Sequence, residues 1–320
     1  MRFGSAVFVG GAHVDLAGSL AAPPVAGASN PGRLVRRPGG AGLNTASVAA
    51  ALGLATTVAG PVGEDPEAAA LRRVLAERGI GDGLVAMAGA ATGTFVSIVA
   101  PDGQMVIGLA DLSINEAVAA DWFLSRCRPA LAVADLWFLT ANQQAATLMA
   151  LAEAAEGRHV AAAAVSAAKA GRLAGCLARV DLLFANLGEA RSLAGLPGAD
   201  AGELACRLRD AGVGAGVISA AGAPLAFWQD GEVDSLAPPP LAAAIADVNG
   251  AGDALAGTVL AGLARGLTMA RAVELGIAAA QLTLGVPEPV HPGLSWRLIE
   301  ARAQIRPAVA PAGQTNAGKG

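Results

Sequence analysis

One segment concentrates the chemistry that these residue types offer. Asp247-Val248-Asn249-Gly250-Ala251-Gly252-Asp253-Ala254-Leu255-Ala256-Gly257 sets two glycines around an alanine, then a lone acid, then an apolar stretch. A glycine-rich turn running into a helix start leaves free backbone N–H groups aimed at one spot, and the helix dipole makes that spot mildly positive. Such a spot suits an anion, above all a transferring phosphoryl group, whose chemistry asks for positioning, charge stabilisation and a base for the nucleophile. Asp253, in the first helical turn, is placed to take the proton of a hydroxyl directed at that anion. The same residues also read as a plain turn followed by an N-terminal helix acid, and the segment alone leaves both open.

A second constellation is Pro38-Gly39-Gly40-Ala41-Gly42-Leu43-Asn44, opening the first long helix. Glycines permit close backbone approach, and Asn44 offers both a donor and an acceptor, which suits a sugar hydroxyl; a glycine turn with an N-cap Asn is the plainer alternative. Asp15, after the first strand, is placed to clamp two vicinal hydroxyls or to cap a turn. Two other phosphate loops are excluded. A Walker A loop needs a lysine after its glycine, and the chain carries only Lys169 and Lys319. A dinucleotide fingerprint needs three spaced glycines after the first strand, which Gly10-Gly11-Ala12-His13 does not supply.

The elements that must position these residues alternate. Strands are predicted at Ala6–Val9, Thr56–Ala59, Ala130–Val133, His159–Val165, Leu182–Phe184 and Gly216–Ser219. Helices are predicted at Asn44–Leu52, Pro66–Arg78, Ala141–Glu156, Ala201–Ala211, about Asp253–Arg265 and Thr268–Leu284, with Gly53 stopping the first. This pattern implies a mostly parallel sheet with helices on both faces and ligands beyond the carboxyl ends of its strands. Two stretches break the rhythm, Leu16–Pro38 and Thr92–Leu109. In the second, Phe95–Val99 and Met105–Ile107 flank Pro101-Asp102-Gly103, a hairpin signal. They predict either a small second sheet over the site or a hairpin at a sheet edge.

Composition bounds the function classes. The 320 residues allow roughly two domains of about 150 residues, or one elaborated α/β domain. Hydrophobic residues are 54% and charged ones 15%, with a net charge of −4, which argues against a disordered or nucleic-acid-coating chain. Cys127, Cys176 and Cys206 are odd in number and form no CxxC, and His13, His159 and His291 are scattered, so neither a disulfide framework nor a zinc site is predicted. No apolar run is long enough to span a membrane, and Met1–Gly10 reads as a buried strand rather than a signal peptide, so a cytoplasmic protein is expected. The tail from Arg306 is predicted to be disordered.

In order along the chain, Gly11-Ala12-His13-Val14-Asp15, Gly39-Gly40-Ala41-Gly42-Leu43-Asn44 and Gly250-Ala251-Gly252-Asp253 resemble the ribokinase-like (PfkB) family of sugar and nucleoside kinases. The resemblance runs from Ala6 to about Leu284. It implies a Rossmann-like αβα sandwich with a small β-sheet lid, the core covering about 1–11, 43–90 and 110–305 and the lid about 12–42 and 91–109. It implies ATP and Mg2+, with K+ as a further candidate, a sugar or nucleoside substrate, no nucleic-acid polymer, no membrane, and a homodimer through the lid. Asp253 would be the base, and the amides of Gly250, Ala251 and Gly252 the anion hole. Asp15, Gly39, Gly40 and Asn44 would hold the sugar. Asn186-Leu187-Gly188-Glu189 matches the family NxxE motif, so Asn186, with Ser219, Gly222, Gly250 and Gly252, would face the nucleotide. Glu189 would reach the metal through water, and Asp247 would meet a monovalent cation.

Ser29-Asn30-Pro31-Gly32-Arg33, Asp15-Leu16-Ala17-Gly18, Val165-Ser166-Ala167-Ala168-Lys169 and Asp247-Val248-Asn249 are most similar to the pseudouridine kinase branch. Lys169 would then contact a base carbonyl, unless it is a solvated helix-start lysine, and Asp111 would face the base, unless it is an ordinary loop acid. The implied reaction is phosphorylation of a ribosyl primary hydroxyl, with a free sugar as the alternative acceptor. Ala163, Ala185, Ala221, Pro224 and His13 depart from the family pattern. Of these, Ala163, Ala221 and Pro224 motivate a rival reading, a non-catalytic binding protein on a decayed kinase fold.

Overall fold

The computed structural model describes residues 1–241 and 244–304. The strand–helix alternation forms one nine-stranded sheet. Across it run Glu232–Leu236, Leu225–Gln229, Ala215–Ser219, Leu182–Asn186, His159–Ala163, Leu136–Thr140, Ser5–Val9, Ala55–Val62 and Gly81–Ala86. Neighbours from Ala215–Ser219 to Gly81–Ala86 pair in parallel, while Leu225–Gln229 and Glu232–Leu236 add antiparallel at one edge.

Alternate side chains of each strand enter different cores. Ala6 and Phe8 join Phe138 and Phe184 under the helices Ala41–Ala51, Ala251–Ala264 and Met269–Leu284. Val7 and Val9 join Trp137, Leu139 and Leu183 under Ala145–Ala154 and Ala201–Asp210. The result is the expected αβα sandwich. No helix among the described residues is long and apolar enough to cross a membrane.

The two interruptions of the rhythm form a separate four-stranded sheet, ordered Gly32–Gly39, His13–Leu20, Thr94–Val99 and Met105–Asp111. Its hairpin closes at Pro101-Asp102-Gly103, where the Gly103 N–H donates to the Ala100 carbonyl at 2.9 Å and the Gln104 N–H to the Asp102 carboxylate at 3.0 Å.

Several boundaries differ from expectation. Ala130–Val133 is not a strand but part of the helix Arg128–Val133, and the strand is Leu136–Thr140. A short Ala/Leu run carries no decisive period, and Pro129 favours a helix start. The next helix begins at Ala145 rather than Ala141, so Ala141–Gln144 forms a turn beyond the strand end. The strand from His159 stops at Ala163, short of Val165. The tail from Arg306 lies outside the described residues.

One helix pair sets the site. Helices Ala41–Ala51 and Ala251–Ala264 approach so closely that a Cβ at Gly257 would lie 2.7 Å from both the Thr45 carbonyl oxygen and Val48 Cβ. Gly257→Val is therefore expected to destabilise the chain by about 1–3 kcal/mol, the usual cost of overpacking. An unchanged denaturation midpoint would show that the two helices separate freely.

Candidate active site

The carboxyl ends of the parallel strands converge on two cavities that share a wall, where such sheets place their ligands. The first, about 340 Å³, is lined by Ala163, Phe184, Asn186, Glu189, Ser219, Gly250, Gly252 and Asp253, among others. The second, about 360 Å³, is lined by His13, Asp15, Arg37, Gly40, Asn44, Asn142, Ser166 and Lys169, with Phe95, Ser97 and Met105 contributed by the small sheet. Ala41, Val165, Asn249, Gly250 and Asp253 face both.

Gly250 sets up the shared wall. It caps the helix Ala251–Ala264 at φ 81°, and an added Cβ would collide with the Pro289 carbonyl. No side chain caps this helix start. The first helical bond runs from the Ala254 N–H to the Gly250 carbonyl at 2.8 Å, so the N–H groups of Gly250, Ala251, Gly252 and Asp253 precede it and remain available to an anion.

Asp253 does not cap the helix. Its carboxylate accepts from Asn44 Nδ2 at 3.0 Å and Thr45 Oγ1 at 3.4 Å. Asn44 sits inside the helix that Gly40 caps, so it is not a capping Asn either. Burial pushes the Asp253 carboxyl up to about 7; the bonds from Asn44 and Thr45 oppose this rise, and the negative charges of Asp15 and Glu189 add to it. A carboxyl poised near neutrality, between an anion site and a second cavity, is suited to general-base work.

The second cavity holds polar groups without partners. Asp15 Oδ1 lies 3.1 Å from His13 Nε2, and His13 Nδ1, Asn44 Oδ1 and Arg37 Nε are buried with no hydrogen bond. Buried polar atoms of this kind are normally satisfied, so their clustering here marks a place for a polar ligand. Gly39 makes room for Asp15, whose carboxylate occupies the position of any Cβ there, and Gly40 holds φ 101° beside the Gly11 carbonyl. Lys169 Nζ donates to Asn142 Oδ1 at 2.8 Å; burial and then neighbouring Arg172 push its ammonium down from its ordinary value.

Other expected residues divide. Asn186 and Glu189 form a complete capping box at the start of Leu187–Ala194, with Asn186 N and Nδ2 donating to Glu189 at 2.9 and 2.8 Å. Both still face the first cavity, and burial raises the Glu189 carboxyl. Ser219 lines it too, whereas Gly222 sits in the turn beyond and lines neither cavity. Asp111 is exposed, accepts from Ser113 Oγ at 2.9 Å and lines neither cavity, because the strand ending there points it outward; the expectation that it faces the base is corrected. Asp247 is likewise not a vacant cation ligand: Arg37 takes one oxygen at 3.0 Å and Asn249 takes the other at 2.8 and 2.9 Å.

Sequence reasoning missed Arg37, Thr45, Asn142 and Ser166. Asn142 falls in a segment that the sequence pattern reads as helix, although a polar residue after a buried parallel strand is itself a signal. Val165 adopts φ 66° while the Ser166 N–H donates to the Ala164 carbonyl at 2.7 Å, a γ-turn that a β-branched residue rarely adopts. Backbone strain of this sort collects at functional sites.

Comparison with known proteins decides the family. The model described as pfkB family carbohydrate kinase matches residues 5–296. This chain belongs to the PfkB carbohydrate kinase family. It is similar to the pseudouridine kinase of Escherichia coli K12, 26% identical over 303 residues that cover 90% of this chain and 93% of that one. A carbohydrate kinase from Agrobacterium tumefaciens superposes with TM-score 0.83 at 31% identity, covering 96% of this chain and 98% of its own. The ribokinase of Thermotoga maritima superposes with TM-score 0.81 at 19% identity, covering 94% and 99%, and so shares the fold. Membership makes the chain an ATP-dependent kinase of a small carbohydrate or nucleoside.

The raised Asp253 carboxyl has a thermodynamic consequence in this kinase. The folded state binds the extra proton between the ordinary value near 3.8 and about 7, so this group's contribution to stability falls as pH rises through that window and is least favourable above it. Asp253→Asn removes the buried charge. It is expected to be more stable than the native chain at pH 8, by at most about 4 kcal/mol, and to lose that advantage near pH 4. Equal stability at pH 8 would mean that the carboxylate is solvated.

Proposed function

We propose that the chain transfers the γ-phosphoryl group of ATP to the primary hydroxyl of a ribosyl compound, with pseudouridine, giving its 5′-phosphate, as the preferred acceptor. The observation that carries this reading is the position of Asp253 in the wall common to two cavities, one with free main-chain amides and one with unpartnered hydroxyl-binding groups. The acceptor hydroxyl gives its proton to Asp253, its oxygen bonds to the γ-phosphorus, and the bond to the ADP oxygen breaks. The amides of Gly250, Ala251 and Gly252 take the charge on the transferring group. Asp15, Gly39, Gly40 and Asn44 hold the ribosyl hydroxyls, and Asn186, Ser219, Gly250 and Gly252 border the nucleotide phosphates.

A nucleoside is preferred to a free sugar because the second cavity is also lined by groups beyond those assigned to the sugar hydroxyls. Lys169, Asn142 and Ser166 lie there with the apolar Phe95, Met105 and Leu112. A planar base with carbonyl acceptors meets that mixture, whereas ribose alone would leave the lysine without a ligand partner. The 26% identity to a pseudouridine kinase supports the same choice.

Magnesium fits an outer role. Among the described residues no three His, Cys, Asp or Glu side chains converge on one point, and both Glu189 oxygens already accept from Asn186. Glu189 would therefore hold a water of the ion, which would neutralise phosphate charge. The small sheet, about 12–42 and 91–109, would act as a lid that keeps water from the reacting atoms. A cytoplasmic location, where ATP is supplied, follows from this reading.

The decisive experiment measures ADP release with pseudouridine, uridine, ribose, fructose and adenosine, using Asp253→Asn as the control. Pseudouridine is expected to give the highest kcat/KM, and the variant to bind acceptor yet lose about two to four orders of magnitude in turnover. Activity confined to free sugars would overturn the nucleoside assignment. Failure to bind ATP with magnesium in calorimetry would favour the decayed, non-catalytic reading that Ala163, Ala221 and Pro224 motivate.

Dimerisation through the lid is part of the same proposal. Leu34, Ile107 and Leu109 are 62%, 60% and 63% exposed on the small sheet, an apolar face that a second copy would cover. Sedimentation is expected to give a dimer that Ile107→Glu with Leu109→Glu converts to monomer; a native monomer at micromolar concentration would refute it.

A further inference from the structure

We infer that Arg37 is a positioning residue whose guanidinium serves as a built-in cation beside the anion-hole turn, so that the chain needs no alkali ion there. The inference rests on the kinase reading above. Arg37 belongs to the small-sheet strand Gly32–Gly39, yet its terminal nitrogens reach Asp247 and Pro287, which lie outside that sheet. One lies 3.0 Å from Asp247 Oδ2, and the other donates to the Pro287 carbonyl. A carboxylate and a main-chain carbonyl are the ligand types that a hard cation takes, but here a planar, permanently charged guanidinium meets both.

The contact has a geometric and an electrostatic side. The second Asp247 oxygen accepts from the Asn249 N–H and side-chain amide, which shapes the turn into Gly250. Pro287 lies two residues before Pro289, whose carbonyl abuts Gly250. Arg37 thus joins the segments before and behind the anion-hole turn. It also neutralises a carboxylate that would otherwise repel a phosphate approaching the amides a few residues away. Because Arg37 is carried by the small sheet, the ion pair is complete only when that sheet is docked. Seating of the sheet and the field at the amides are therefore coupled.

The test uses the full chain in K+, Na+ and tetramethylammonium buffers of equal ionic strength. Affinity for a non-hydrolysable ATP analogue with magnesium is read by calorimetry, and turnover by ADP release. Both are expected to vary by less than about twofold across cations in the native chain. Arg37→Ala is expected to lose about tenfold or more in kcat and to regain part of it with added guanidinium ion or K+. Arg37→Lys should retain more activity than Arg37→Ala. A larger K+ activation of the native chain would overturn the proposal, as would an Arg37→Ala chain with native rates or with a deficit that neither cation repairs. Should Arg37→Ala fail to fold, the cation series on the native chain decides the matter. Absence of nucleotide binding in every buffer would instead remove the underlying kinase reading.

Discussion

The site depends on a carboxylate held at the junction of two helix starts by neutral donors alone. Close packing at Gly257 sets Asn44 and Thr45 against Asp253. Burying a carboxylate is costly, and an arginine or lysine partner would offset that cost most fully. Such a partner would also lower the carboxyl's pKa and make it a poor proton acceptor. An amide and a hydroxyl offset less, and the carboxyl settles at about 7. Stability given up at this position is what keeps the group useful near neutral pH.

The same economy governs the surrounding charges. Asp15, Glu189, Asp247 and Asp253 all lie near where a phosphate would travel, an unpromising field for an anion. Their effects are contained separately. Glu189 is locked in a capping box and pushed by burial toward its neutral form. Asp247 is paired with Arg37. Against them the proposed mechanism sets main-chain amides at an uncapped helix start instead of the mobile lysine of a Walker loop. Amides fixed in the backbone need no reorganisation when charge moves, and they leave the hydroxyl-binding side free for acids that favour sugars.

The sequence exposed those parts of this arrangement that are local. The Gly250–Asp253 turn, the Gly39–Asn44 turn and the Asn186–Glu189 box each carry their geometry in adjacent residues, and the large sheet announced itself through alternation. Contacts between distant segments were not readable. Nothing in the spelling of Arg37 shows that it meets Asp247, and the exposed direction of Asp111 depends on how its strand pairs. Asn142 falls between, since its role turned on where a helix begins, and a run of helix-favouring residues hid a turn of four. Ala130–Val133 failed for a related reason, because Ala and Leu serve helix and buried strand alike.

The departures at the nucleotide end can be judged on the same physical terms. Ala221 and Gly222 hold φ 38° and 91°, and the Ala223 N–H donates to the Ala220 carbonyl at 2.8 Å, the pattern of a turn with both central residues left-handed. Glycine would occupy the Ala221 position without strain, so the alanine costs stability and leaves the turn's course intact. Pro224 lies between that turn and the strand Leu225–Gln229, outside the paired register, so its missing N–H removes no ladder bond. Ala163 pairs in register with Thr140 and Phe184 and lines the first cavity. Ala163 shares that cavity with Asp253, Gly250 and Gly252, whereas Ala221 and Pro224 line neither cavity. On the proposed mechanism, Ala221 and Pro224 would therefore bear on nucleotide affinity before they bear on the proton acceptor.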